Sequence, residues 1–200
     1  MIGVGRLAVR VAPRAGDDLR QIFSDFTMWI YCFDDELCDE GPLRDRPGEL
    51  AEAMGRIHRC GEVIEEALYE DDRYGMSLRD LRTCLRSSAS PAESDRFIQA
   101  MRGHFQVEAA QAGFLARKQQ PGLDAYTLIS VQFGGALAMA GLAGAINCAD
   151  TPPPHLLSDR SAHAITELAG TIATWTNSVI SIPKEHERAP DGFNPGSRQM

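Results

Sequence analysis

Basic runs are missing from this 200-residue chain, whose formal net charge is −8. A nucleic-acid footprint needs lysine or arginine clustered on one face, so no nucleic-acid partner is expected. Cysteine lacks any paired pattern: Cys32, Cys38, Cys60, Cys84 and Cys148 are odd in number and show no CxxC spacing. That argues against a zinc ribbon and a disulfide framework, and reduced thiols in a cytoplasmic setting are the simpler expectation. Met1 to Pro13 carries Arg6 and Arg10 without a sustained apolar core, which argues against a secretory signal. No stretch keeps the alternation of a half-buried strand, so the fold class expected is all-α.

Charge is absent altogether from Tyr126 to Ala149. By length alone such a stretch is a candidate membrane span. It is rich in Gly and Ala, holds Ser130, Gln132 and Asn147, and has no basic flank to mark a cytoplasmic end. A buried core helix broken near Gly134–Gly135 fits better, and no stable membrane insertion is expected.

What is present reads as a single domain of amphipathic helices. Asp17 and Asp18 open a helix carrying Ile22, Phe26, Trp29, Ile30 and Phe33, which delivers an acidic cluster near its C-terminal end. Gly41–Pro42 to Pro47–Gly48 breaks the chain. A helix over about 49–69 follows, then a loop over 71–76 and a short helix with Leu78, Leu81 and Leu85. Ser90-Pro91-Ala92-Glu93 reads as an N-cap, a proline at the first helical position and an acid in the first turn. That helix should run through Phe97, Met101, Phe105 and Phe114 to about Lys118. Pro121–Gly122 and Pro152-Pro153-Pro154 are further breaks, the second preceding a helix that ends near Glu187. Residues 189–200, with two prolines and two glycines, read as a disordered tail after a domain over 1–188.

Two polar clusters stand out from this background. In Asp34-Asp35-Glu36-Leu37-Cys38-Asp39-Glu40, Asp35 and Asp39 are four apart and Asp34 is adjacent, so a helix aims at least two carboxylates along one edge. Asn177, Ser181 and Glu185 are spaced i, i+4, i+8, which stacks an amide oxygen, a hydroxyl and a carboxylate on one face. Oxygen-only ligands with room for water suit Mg²⁺, which bridges protein carboxylates to substrate phosphates. Each group has a plainer reading. Acidic runs are usually solvated helix ends, and Asn177 and Ser181 alone are ordinary polar positions near Pro183, which should bend the helix around Val179 to Ser181. Trp29, Phe33, Phe133 and Trp175 could offer π faces to a cation, but aromatics at helical spacing are more often core. His58, His104, His155, His163 and His186 are scattered, show no metal-ligand pair and are assigned no role.

Together the clusters resemble the paired metal motifs of the class I terpene synthases of bacterial type. Asp34, Asp35 and Asp39 are similar to the family's aspartate-rich motif, approached by the aromatic run from Phe26 to Phe33. Asn177, Ser181 and Glu185 are similar to its second motif, Asn-Asp-x-x-Ser/Thr-x-x-x-Glu, with Lys184 before the glutamate. The resemblance runs from about Leu7 to Glu187. Ser178 stands where the family usually has Asp. Gly135 fits the family's small effector residue at a helix break, whereas the diphosphate-sensing Arg position before it falls on Val131. The family's distal Arg-Tyr pair and the helices before its first motif are expected to be missing, so the chain reads as truncated at both ends.

The resemblance implies the isoprenoid-synthase helical bundle and a Mg²⁺-dependent cyclase acting on a prenyl diphosphate, farnesyl diphosphate first and geranylgeranyl diphosphate second. It implies a three-ion Mg²⁺ cluster with bound diphosphate, Asp34 and Asp39 serving one pair of ions and Asn177, Ser181 and Glu185 the third. Asp35 is expected to accept hydrogen bonds from a basic group, and Lys184 to meet a diphosphate oxygen. Asp34, Asp35, Lys184 and Gly135 then form the catalytic set. Val131 and the missing parts keep open an alternative, an impaired or inactive fragment that retains the metal motifs. Chain-elongating prenyltransferases fit less well, because they use two aspartate-rich motifs. An incomplete cavity would expose apolar faces, so self-association, a homodimer included, is expected.

Overall fold

The computed structural model describes residues 3–132, 135–146 and 159–188, the side chains of 182 and 184–188 excepted. Among these residues every regular element is helical: α1 (Val4–Val11), α2 (Asp17–Phe33), a π-helical turn (Asp34–Asp39), α3 (Pro47–Glu62), α4 (Arg73–Arg86), α5 (Pro91–Ala116), α6 (Leu123–Ser130), α7 (Ala136–Ile146) and α8 (Arg160–Arg188). The long helix α5 lies against α3 and α7. Helix α2 packs on α1, α4 and α7, while α8 covers α7 and α6.

Helix α2 starts with Asp17 and Asp18 in its first turn, where carboxylates meet the positive end of the helix dipole. Its inward stripe buries Ile22, Phe23, Phe26, Trp29, Ile30 and Phe33. Trp29 stacks on Phe33 with ring centroids 5.2 Å apart, and Phe26 meets Phe97 of α5 edge-on at 4.9 Å. Trp29 and Phe33 are therefore accounted for by packing.

Helix α3 ends at Glu62, earlier than the periodicity suggests, because its last carbonyls have a buried partner. Arg82 of α4 donates to Gly61 O at 2.6 Å and to Glu62 O at 2.9 Å. Helix α4 begins at Arg73, where a loop is expected, because Asp72 accepts from the backbone N–H of Tyr74 at 3.0 Å and of Gly75 at 2.9 Å. Ser90 and Glu93 form a reciprocal capping box at the start of α5.

The described part of the uncharged segment falls on two short helices, α6 of 8 residues and α7 of 11. At about 1.5 Å per residue neither approaches the ~30 Å of a bilayer core. No helix among the described residues is long and apolar enough to cross a membrane. Between them Gly135 adopts φ +64°, and a Cβ there would collide with Ile30 Cδ1, so only glycine fits. Helix α8 continues through Pro183 without ending. The Pro152–Pro154 break, Phe133, Cys148 and the tail over 189–200 lie outside the described residues. Cys32, Cys38, Cys60 and Cys84 are free thiols.

Candidate functional site

The acidic cluster leaves α2 as a π-helical turn, with Glu40 N–H donating to Asp35 O at 3.0 Å across five residues. An α-helix would pair Asp35 with Asp39. The wider turn instead brings the charges of both Asp34 and Asp39 to bear on Cys38 and Glu108 beneath it. Gly41 closes it, since an added Cβ would fall 2.8 Å from Leu37 Cα. Asp34 is half-buried, while Asp35 and Asp39 are exposed. Glu36 is engaged elsewhere: it pairs with Arg73 and accepts from Tyr74 Oη at 2.8 Å, which ties the turn to α4. No basic side chain among the described residues bonds the Asp35 carboxylate, so the expected basic partner is not found there.

Beneath the turn lies a set of polar groups in α5. Phe97, Met101, His104, Glu108 and Gln111 are spaced i, i+4, i+7, i+11, i+14 and form one buried stripe whose last three members are polar. Gln111 Nε2 donates to Asp39 Oδ1 at 3.3 Å. His104 Nδ1 lies 3.4 Å from Glu108 Oε1, with both side chains 1% exposed. Burial raises the Glu108 carboxyl well above the ordinary carboxylate range, and the charges of Asp34 and Asp39 push it further. Burial lowers His104 to about 4. The Cys38 thiol is pushed up by burial first, then by Glu108, Asp34 and Asp39. Below its anionic rim the turn thus rests on neutral groups. Sequence reading assigned His104 and Glu108 no role. The signal was an ionisable i, i+4 pair on the apolar stripe of an amphipathic helix.

The second motif sits on α8. Thr174 is buried there, and an added Cβ at Gly170 would lie 3.2 Å from Leu137 Cδ2 of α7, so these two residues mark the face packed on the bundle. Asn177 and Ser181 follow Gly170 at i+7 and i+11 along the same edge of the helix, but Asn177 is exposed and Ser181 half-buried, beyond the packed part of that face. Ser178 and Tyr126 share a hydrogen bond of 3.0 Å, and Trp175 Nε1 donates to Ser130 Oγ at 3.0 Å, fixing α8 on α6. The Ser181 hydroxyl donates to the Asn177 carbonyl one turn back, which leaves its oxygen lone pairs available. Among the described residues, neither Asn177 nor Ser181 hydrogen-bonds the acidic turn. The side chains of Lys184 and Glu185 lie outside the described residues. Val131 caps the end of α6, half-buried, and brings no charge.

A groove of about 560 Å³ opens between α2 and α4, lined by residues including Trp29, Cys32, Arg73 and Tyr74. Neither Asp34, Asp39, Asn177 nor Ser181 borders it, so it is not the candidate site.

A helical bundle with an aspartate-rich turn and an Asn/Ser/Glu helix defines a metal-binding isoprenoid-synthase domain. Residues 25–194 match the family described as "Terpene synthase family 2, C-terminal metal binding", and the chain belongs to that family. It is 30% identical over 187 residues to a (+)-T-muurolol synthase of Streptomyces clavuligerus, named as cyclising (2E,6E)-farnesyl diphosphate, covering 90% of this chain and 43% of that protein. It is 31% identical over 189 residues to a spiroviolene synthase of Streptomyces violens, covering 92% of this chain and 51% of the relative. The crystal structure of the SVS_A2 protein from ancestral sequence reconstruction superposes with a TM-score of 0.81 at 29% identity, over 93% of this chain and 58% of that one. The chain spans about half the length of the curated relatives it matches.

Proposed function

We propose that this chain carries the ionisation machinery of a class I terpene cyclase acting on a prenyl diphosphate, farnesyl diphosphate first and geranylgeranyl diphosphate second. The observation that supports this reading is the π-helical acidic turn at the end of α2, in a chain that carries the second motif on α8 and belongs to a terpene synthase metal-binding family. The name of the (+)-T-muurolol synthase supports farnesyl diphosphate. The donors fit Mg²⁺, because carboxylate, amide and hydroxyl oxygens are hard ligands that leave room for water. Asp34 and Asp39 would hold one pair of ions, and Asn177, Ser181 and Glu185 the third. Bound Mg²⁺ supplies charge neutralisation at the diphosphate and polarisation of its oxygens.

The chain's own groups then divide the work. Lys184 offers a point charge to a diphosphate oxygen. The allylic C–O bond breaks heterolytically, and its electron pair leaves with the diphosphate. Gly135 allows the backbone to turn between α6 and α7, and the apolar residues of α7 help to keep water from the allylic cation until it closes on a double bond. The test is incubation with Mg²⁺ and each prenyl diphosphate, measuring released diphosphate and hydrocarbon products. Asn177→Ala and Glu185→Ala should each lower diphosphate release roughly tenfold to a hundredfold. Unchanged release in both variants would remove α8 from the metal site.

A second reading is an impaired domain that keeps the metal motifs. It is favoured by Val131, which brings no cation to the leaving group, and by the solvent-facing residues Ile165, Leu168, Ile172 and Val179 of α8. Release of diphosphate with linear alcohols as products would mean that water reaches the cation. A single cyclic hydrocarbon would reject this reading.

A further inference from the structure

Among the described residues, the buried side-chain nitrogens and oxygens without a hydrogen bond of ordinary geometry belong to His104, Glu108 and Gln132, with the Cys38 thiol and His104 the nearest groups to the Glu108 carboxyl. Buried polar groups in folded proteins are nearly always satisfied, so such a concentration at one place points to an absent ligand. Both oxygens of Glu108 are in this set, in a side chain only 1% exposed. They face Cys38 and Asp34, and one ligand atom from each of Asp34, Cys38 and Glu108 lies within 4.8 Å of the other two. Cys38 is itself 3% exposed, whereas Asp34 is half-buried and connects the group to the rim.

A sulfur between two carboxylates is poor chemistry for Mg²⁺, which takes oxygen ligands. It suits a borderline-soft ion, which accepts thiolate and carboxylate together. Zinc bonds of about 2.0–2.3 Å place tetrahedral ligand atoms roughly 3.3–3.8 Å apart, so inward rotation of about 1 Å closes the observed triangle. We propose that Cys38, Glu108 and Asp34 form a binding site for a borderline-soft divalent cation, Zn²⁺ or Cd²⁺, that differs in ligand chemistry from the all-oxygen motifs. On binding, the Cys38 thiol and the Glu108 carboxyl give their protons to solvent as sulfur and oxygen coordinate. Solvent completes the shell from the Asp34 side. His104, 3.4 Å from Glu108, orients that carboxylate from behind. Because Asp34 belongs to both sets, the soft cation competes with Mg²⁺ at the aspartate-rich turn, and Zn²⁺ acts there as an inhibitor. The binding itself does not depend on the cyclase reading, and its test uses no diphosphate.

The whole chain, reduced and stripped of metal, is titrated with Cd²⁺ while the sulfur-to-metal charge-transfer absorption is followed. One equivalent per chain should produce the band, Cys38→Ser should abolish it, and Glu108→Gln should weaken binding roughly tenfold to a hundredfold. A band of full strength in Cys38→Ser would place the metal on the other cysteines and overturn the site. X-ray absorption on the Zn²⁺-loaded wild-type chain decides the matter should the buried serine prevent folding. One sulfur at about 2.3 Å among oxygen ligands is expected, and a shell without sulfur, or with several, rejects the proposal.

Discussion

Glu108 combines complete burial with a carboxyl group that Asp34 and Asp39 also oppose, and its folded-state pKa lies well above the ordinary 4.5. A group raised in this way contributes stability fully below its unfolded pKa and loses that contribution as pH rises toward the folded one. At neutral pH it is therefore a cost. Glu108→Gln keeps the shape and removes the titration. In urea unfolding the variant should be more stable than the wild type at pH 8, with the difference shrinking toward pH 4. A constant difference across that range would mean that Glu108 ionises in the folded chain as it does in the unfolded one. His104 acts with the opposite sign. Burial lowers its pKa from 6.5 to about 4, so stability falls as pH drops through that interval, and this acid limb should remain in Glu108→Gln. The sequence placed this pair on the apolar stripe of α5, but only the turn packed against it shows that both groups are buried beside carboxylates.

At the level of elements, Arg82 decides where α3 stops. It is 6% exposed, donates to two carbonyls of α3 and to Ser94 Oγ at 3.2 Å, and pairs with Asp95. Arg82→Ala would leave those carbonyls buried without donors. The expected loss is about 2–4 kcal/mol, read from chemical denaturation, and Arg82→Lys should recover only part because an ammonium cannot fork between several acceptors. A loss under about 1 kcal/mol would show that water replaces the guanidinium. The contrast with Ser90 is instructive, since its cap lies within four consecutive residues: the N-cap and first-turn acid were legible as written, and the structure adds the reciprocal bond from Glu93. Ser90→Ala should cost about 1 kcal/mol by the same measurement. Arg82 acts across about twenty residues of chain, so no local pattern announces that α3 ends at Glu62.

For the whole molecule, α8 has its polarity reversed. Its packed face carries the small or polar Gly170 and Thr174, while Ile165, Leu168, Ile172 and Val179, at i, i+3, i+7 and i+14, are 54–67% exposed. Leu123 and Leu128 of α6 are also exposed. An exposed apolar stripe along a helix drives association. The purified chain should therefore self-associate with rising concentration in sedimentation analysis, the second copy covering this stripe. Replacing Ile165 and Ile172 together with Glu should shift it toward monomer without loss of helical circular dichroism. A wild-type chain that stays monomeric up to high concentration would count against the stripe as a contact surface.

Local sequence determined the helical class, the capping of α5, the break at Gly135 and the two polar clusters. Each of these depends on interactions between residues within a few positions of one another. Tertiary structure decided the π-helical form of the acidic turn, which is held by Gly41 against its backbone and by Tyr74 and Arg73 on Glu36. It also decided that Glu108 and His104 stand beneath that turn and that α8 leaves Ile165, Leu168 and Ile172 exposed. Those outcomes follow from burial and long-range contact, which set the charge state and direction of a side chain and are not encoded in its immediate neighbours.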